Sequence, residues 1–333
     1  MIAAIQHERP DRVPIGELLI ADNVRLSIYP NTSLFEFLEL LDLDLVFAYR
    51  GRKFERISEE LIRDEWGIIF KKTGEHVPYP IKGPIESEKD VAIYGPPDPE
   101  AAYMFEQLRD LVARFKGKRA IGYMMLDVFT IPAYLRGMDN FLVDLINSPS
   151  LACQIIEMVT TYQLKLIEGA IKNGAEIIEC GCDYAHNTNT FMSPAQFEKF
   201  FMPGLTKLIE RTHELGGYFM KHSDGNLWPI LDMVVNAGVD IIHPLQPDAG
   251  MDIGEVKRRY GDKVCLMGNI DCGYILSRSS VSEVEKAVKE CIDKAAKGGG
   301  FILSSSNSIH SSVKPENYRA MIQIAREYGK YTF

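Results

Sequence analysis

The sequence predicts an α/β protein, a single (β/α)8 TIM barrel occupying residues 1–333, and three observations carry that prediction. Beyond about residue 118, short and nearly continuous apolar runs alternate with stretches of helical periodicity, the pattern of parallel strands covered on both faces by helices. Six such strands follow residue 118 and two more lie upstream, which makes the eight that close a barrel. No glycine-rich phosphate loop follows any strand, which disfavours the competing architecture, an open doubly wound sheet.

In chain order, the two upstream strands are 16–20 and 45–49. The segment 51–95 contains Trp66-Gly67 and the prolines Pro78, Pro80 and Pro84, and is expected to leave the barrel as an excursion or small hairpin over its mouth. Gly95-Pro96-Pro97-Asp98-Pro99 reads as a loop entering a helix, with Pro99 near the first turn. Strands are then expected at 120–126, 176–182, 218–222, 241–245, 264–270 and 301–305. Helical periodicity covers about 149–173, 193–215, 226–237, 252–260, 280–297 and 315–329. Ser193-Pro194 supplies an N-cap followed by proline at the first helical position, and Ser280 with Glu283 fits a capping box.

Composition narrows the function classes. A net charge of −9 argues against nucleic acid or an anionic membrane as partner, since both need a basic face. No apolar run reaches the roughly 18–20 residues of a membrane span, and the opening MIAAIQHERPDRVP is too polar for a secretory core. The six cysteines lack disulfide-framework spacing and read as reduced thiols of a cytoplasmic protein; Cys180 and Cys182 are not expected to ligate together.

Barrel active sites lie at the C-terminal ends of the strands. Those positions here hold Glu17, Arg50, Asp127, Asp183, His186, His222, Asp224, His243, Gln246, Asn269, Asp271, Asn307 and His310. Turn chemistry explains any one of them alone; their concentration at one end is what suggests a site. Within KHSDGN (221–226), His222 and Asp224 stand two residues apart, so an extended strand sends both side chains to one face. Such a pair holds a divalent metal or forms an acid–base couple. The alternative, equally open at this point, is a turn and N-cap at 224–226 with His222 filling the barrel.

HERPDRVP (7–14), FMSPAQFEKFFMPGL (191–205), KHSDGN, GNID (268–271) and GGGFILSSSNSIHSSVKPENYRAM (298–321) resemble, in order, landmarks of the uroporphyrinogen decarboxylase superfamily over essentially the whole chain. The resemblance implies a barrel that either decarboxylates a tetrapyrrole or moves methyl groups to or from a corrinoid or thiol. Decarboxylases of the family carry an arginine-rich R-Q-A-G-R-Y stretch for their polyanionic substrate; here GELLIADN (16–23) stands there, with Glu17, Asp22 and only Arg25 nearby. Thiol-activating methyltransferases of the family hold zinc through H-x-C and a distant cysteine; here these positions are His222-Ser223-Asp224 and, near the second, Asn307.

The remaining branch resembles the first methyltransferase of O-demethylase systems. It implies transfer of a methyl group from a methoxylated compound, aromatic in the first instance, to the cobalt of a separate corrinoid protein. No D-x-H-x-x-G cobalamin motif occurs, so the corrinoid is expected on a partner. His222, Asp224, Asp183 and Asn307 are the expected catalytic residues, His222 and Asp224 the metal ligands if zinc is present. Glu17, Tyr184, His186, Gln246 and His310 are expected to bind substrate, with Trp228 and Phe129 as further aromatic walls. Alternatives are a methyltransferase using an amine, thioether or methylcobalamin, and a non-catalytic tetrapyrrole-binding barrel. A homodimer is compatible with the sequence and not required by it.

Overall fold

Seven parallel strands curl into a barrel in the computed structural model, which describes residues 1–73 and 78–331. In chain order the strands are β1 (Leu45–Tyr49), β2 (Phe54–Arg56), β3 (Leu61–Asp64), β4 (Ile69–Lys71), β5 (Tyr79–Lys82), β6 (Ala120–Leu126), β7 (Ile177–Gly181), β8 (Tyr218–His222), β9 (Ile241–His243), β10 (Cys265–Ile270) and β11 (Phe301–Ser305). The barrel order is β1-β6-β7-β8-β9-β10-β11. Leu45, Phe47, Ile177, Met220, Ile241, Cys265, Met267 and Ile302 point inward and fill its lower part, while the outward-facing residues pack under the helices.

The eighth position is filled, but not by the regular strand expected at 16–20. The chain from Pro14 to Gly16 lies between β11 and β1. Gly16 N–H donates to the Leu303 carbonyl (3.1 Å), Leu303 N–H to Pro14 (2.9 Å), and Asp44 N–H to Ile15 (2.8 Å). Pro14 has no N–H to extend a ladder, and the Arg12–Asp44 ion pair at 2.6 Å anchors the entry. Farther on, Ile20 bridges Ile309 beyond the end of β11.

The excursion at 51–95 is a four-stranded antiparallel sheet, β2-β3-β4-β5. Its turn at Trp66-Gly67 is held by Asp64, whose Oδ1 accepts from Trp66 N–H (3.0 Å) and Ile68 N–H (2.9 Å). A buried ion pair, Arg50–Glu65 at 2.6 Å, ties this sheet to the top of β1.

Two helix starts differ from expectation. The helix placed at 226–237 begins only at Leu231, because Pro229 biases Trp228 away from helical geometry; Asn226 instead caps a turn at Trp228 N–H (3.1 Å). Pro99 is not in a first helical turn: a 3-10 turn at Ala102–Phe105 precedes the helix Glu106–Phe115. The helix expected at 193–215 contains a π-helical turn, Phe197–Phe201, just ahead of Pro203. Among the described residues, no helix is long and apolar enough to cross a membrane.

Candidate active site

Strands β7 and β8 end side by side, with Gly181 and His222 as register partners. The loops that leave them bring Asp183 and Asp224 to His222: Nε2 lies 3.7 Å from Asp183 Oδ1 and 3.8 Å from Asp224 Oδ1. One ligand atom from each of the three lies within 4.8 Å of the others. Asp224 N–H donates to Asp183 Oδ1 (2.9 Å), and Asn307, after β11, donates its side-chain amide to Asp224 Oδ2. Asp224 Oδ1 is buried without a hydrogen-bond partner among the described residues, which is what a site for a cation leaves behind.

Gly225 makes this crowding feasible. Its φ is +88°, and a Cβ there would stand 2.6 Å from the Ala185 carbonyl carbon. Gln246 braces the same turn by accepting from Gly225 N–H (2.9 Å).

Burial pushes the His222 imidazole down to about 4 against the pull of Asp183, so it is neutral near pH 7. Burial, and then the neighbouring Asp183 charge, push Asp224 up to about 8. His222 Nδ1 faces His243 Nδ1 at 2.7 Å, so the two rings share one proton there. His243 is fully buried at the end of β9, and burial drives its ring well below the ordinary range. If Nε2 of His222 binds a metal, its Nδ1–H must donate to His243, which thereby fixes the tautomer. Replacing His243 by phenylalanine is expected to lower divalent-metal affinity about 10–100-fold, read by competition with a chromophoric chelator; unchanged affinity would exclude the positioning role.

The other residues singled out in the sequence divide. Tyr184 is not in the cavity: it is fully buried behind β7, its hydroxyl on Asp127, with Lys221 over its ring at 4.2 Å. Phe129 packs in the same outer layer, and Trp228 bonds the Gly250 carbonyl under Arg259. His186 is exposed, and its ring accepts from Thr188 N–H (3.4 Å). His310 Nε2 meets the Cys272 carbonyl at 3.2 Å, bracing loops rather than facing the cluster. Asp271 caps the turn at Gly273 (2.7 Å), and Asn269 donates to the Leu245 carbonyl (2.9 Å). Cys180 and Cys182 share one face of β7, as residues two apart must. It is the outer face, and burial raises both thiols well above their ordinary range.

Glu17 is buried away from the cluster and accepts from Ser305 N–H (3.1 Å) and Oγ–H (2.7 Å). Burial outweighs those bonds and raises its carboxyl to about 8. The unfolded chain releases this proton near 4.5, so the folded state holds more protons between those values and stability falls as pH rises across that window. The thermal midpoint is therefore expected to decrease from pH 6.5 to 8, with Glu17→Gln flattening the slope. An equally steep slope in that variant would remove Glu17 as a cause.

Sequence reasoning missed Glu179. It sits mid-strand on β7, is 1% exposed, and neither carboxylate oxygen has a hydrogen-bond partner among the described residues. The available signal was one acid on the inward face of an otherwise apolar run, Ile177-Ile178-Glu179-Cys180-Gly181.

The comparisons with known proteins agree with this architecture. A family model described as Uroporphyrinogen decarboxylase (URO-D) matches residues 66–328. The chain belongs to this family. Among its curated relatives, the uroporphyrinogen decarboxylase of Trichlorobacter lovleyi is 26% identical over 258 residues, covering 74% of this chain and 72% of the relative. That of Coxiella burnetii is 23% identical over 264 residues, covering 75% and 70%. Among solved structures, a methyltransferase from Methanosarcina mazei superposes with a TM-score of 0.76 at 17% identity, covering 98% of this chain and 97% of that one. At that identity the likeness concerns the uroporphyrinogen decarboxylase-type barrel alone.

Proposed function

We propose that this family member is a methyltransferase that takes a methyl group from a methoxylated, aromatic compound and passes it to the cobalt of a separate corrinoid protein. The observation that carries the reading is the cluster of Asp183, His222, Asp224 and Asn307 at the strand ends, a set made of nitrogen and oxygen donors. Displacing an aryl oxide from a methyl group is slow unless charge on the departing oxygen is met by a proton or a cation. A cluster of hard donors suits oxygen substrates, where thiolate-rich sites suit sulfur.

Asp183, His222 and Asp224 would hold a divalent metal such as zinc, and the orphaned Asp224 Oδ1 fits that use. When bound, such an ion supplies Lewis acidity to the leaving oxygen. The chain's own groups do the rest. Asn307 orients Asp224, Gln246 fixes the turn at Gly225, and His243 sets the His222 tautomer. The corrinoid enters as a co-substrate on its own protein and meets the methyl donor at the open mouth. The direct test is a panel of methoxyaromatics with a cobalt(I) corrinoid protein, with and without chelator. Methylcobalt absorbance from at least one donor is the expected result, and none from any donor counts against the reading.

Decarboxylation of uroporphyrinogen is the reading that the curated relatives' names would favour. The charges oppose it. Arg50 and Arg52 at the mouth are already engaged by Glu65 and Asp64, and Arg25 by Asp22, while Glu17, Glu179, Asp183 and Asp224 put carboxyl groups rather than guanidinium groups around the strand ends. A polycarboxylate needs bidentate cations at these positions. No turnover of uroporphyrinogen is expected; measurable coproporphyrinogen formation would reverse this conclusion.

A further inference from the structure

A cavity of about 220 Å3 lies between the barrel mouth and the excursion sheet, walled by Trp66, Ile68, Phe70, Met124, Ile131 and Tyr134. Glu179 and Gly181 form its edge on β7. The Glu179 carboxylate folds toward the mouth, with Oε1 3.1 Å from where a Cβ of Gly181 would stand. Because Gly181 has no side chain, the carboxylate is left facing the cavity. Gly181 is also the register partner of His222, one strand spacing of roughly 4.8 Å away. Glu179 therefore borders the Asp183–His222–Asp224 cluster without belonging to it.

Two buried polar groups of this cavity are unsatisfied among the described residues: both oxygens of Glu179, and Nε1–H of Trp66, itself 1% exposed. Buried polar atoms in native proteins are almost always paired, so a cavity carrying two orphans is the signature of a ligand that supplies the partners. Arg50, Arg52 and Asp64 also line it, the arginines paired with Glu65 and Asp64, and between these charges the wall is aromatic and aliphatic, which suits a flat ring.

We propose that Glu179 and Trp66 form a subsite that reads a hydroxyl on the aromatic methyl donor, Glu179 pairing with the hydroxyl and the indole N–H with an adjacent oxygen. This deepens the methyl-transfer reading and rests on it for the identity of the ring as the methyl donor. A hydroxylated methoxyarene satisfies both orphans at once. A quaternary ammonium, the other ligand that an aromatic wall with a carboxylate suits, offers no acceptor for the indole and leaves that group unpaired. Burial, which raises the Glu179 carboxyl to about 8, also favours a neutral partner over a cation near pH 7.

Binding tests the subsite without any methyl transfer. The chain's two tryptophans are Trp66 and Trp228, so Trp228→Phe leaves Trp66 as the sole indole reporter. Fluorescence titration of the full chain would use 2-methoxyphenol, 1,2-dimethoxybenzene and tetramethylammonium. The expected order is 2-methoxyphenol tightest, at least about tenfold over the dimethoxy analogue, the range for a buried hydrogen bond lost. Glu179→Leu should erase that preference, and Glu179→Gln, which still donates and accepts, should keep part of it. If the leucine variant does not fold, the glutamine variant decides by a reduced but surviving preference. Equal binding of both arenes to the Glu179-containing protein, no binding of either, or tighter binding of tetramethylammonium would each overturn the subsite. Selective binding of 2-methoxyphenol with no methyl transfer to any corrinoid protein would instead overturn the methyl-transfer reading and leave the subsite standing.

Discussion

Alanine at His222 is expected to lower methyl transfer by on the order of 10²–10⁴-fold, the range for loss of a group acting on a leaving oxygen, with the barrel still folded. His222 is the meeting point of the site: one ring nitrogen faces both carboxylates and the other faces His243. Its removal deprives a bound ion of its nitrogen ligand and, without an ion, removes the group nearest the two acids. Chelation separates these roles. If a metal acts on the oxygen, chelator abolishes activity in the parent protein and zinc restores it, whereas the alanine variant no longer responds. If protonation suffices, chelator is without effect and the parent's rate falls as pH rises past the pKa of the proton donor. Full activity with normal donor affinity in His222→Ala would reduce His222 to barrel filling.

The second large effect is expected from Lys221, one residue earlier and on the opposite face of β8. Its ammonium is fully buried, paired with Asp127 at 2.9 Å, and donates to the carbonyls of Cys182 (2.9 Å) and His222 (2.7 Å), with Cys180 at 3.2 Å. Asp127 also accepts from the Tyr184 hydroxyl and Phe129 N–H. Lys221→Met leaves a buried carboxylate without its countercharge, which typically costs about 3–5 kcal/mol. Denaturant titration should show that loss, and adding Asp127→Leu should recover much of it because an apolar pair replaces the ion pair. Methyl transfer should fall too, since the clamped carbonyls lie where Asp183 and His222 are positioned. A single variant as stable as the parent would show that the Lys221–Asp127 pair contributes nothing to stability.

The parts of this protein legible in its sequence were those written in local periodicity. Apolar runs at 120–126, 218–222 and 301–305 coincide with β6, β8 and β11, and the Ser280–Glu283 capping box starts its helix as expected. His222 and Asp224 do meet, but not by the strand alternation that suggested it: β8 ends at His222, and the loop turning at Gly225 brings Asp224 back. What the sequence concealed was direction at the ends of the strands, where loops decide it. Tyr184 follows Asp183 immediately yet lies on the outer side, because Asp127 and Lys221 hold it there. His186 and His310 bond their own loops, and short-range spacing does not distinguish such a ring from one aimed inward. Glu179 was missed for a different reason: candidates were sought at the strand ends, and this acid stands mid-strand in an apolar run.

Closure of the ring by residues 14–16 against β11 has a consequence for how the molecule is made. The Glu17–Ser305 contacts join positions 288 apart, so the segment at 14–17 can lie against β1 early but gains its other neighbour only when β11 is made. Until then the growing sheet ends in an unpaired parallel edge beyond its newest strand, the kind that recruits foreign strands. Non-local pairing of this kind is slow, because the loop entropy is lost before the contact is gained. A nascent chain halted before residue 301 should accordingly be a substrate for chaperones rather than a shortened enzyme, with the Arg12–Asp44 pair able to hold residues 12–16 against the start of β1 meanwhile.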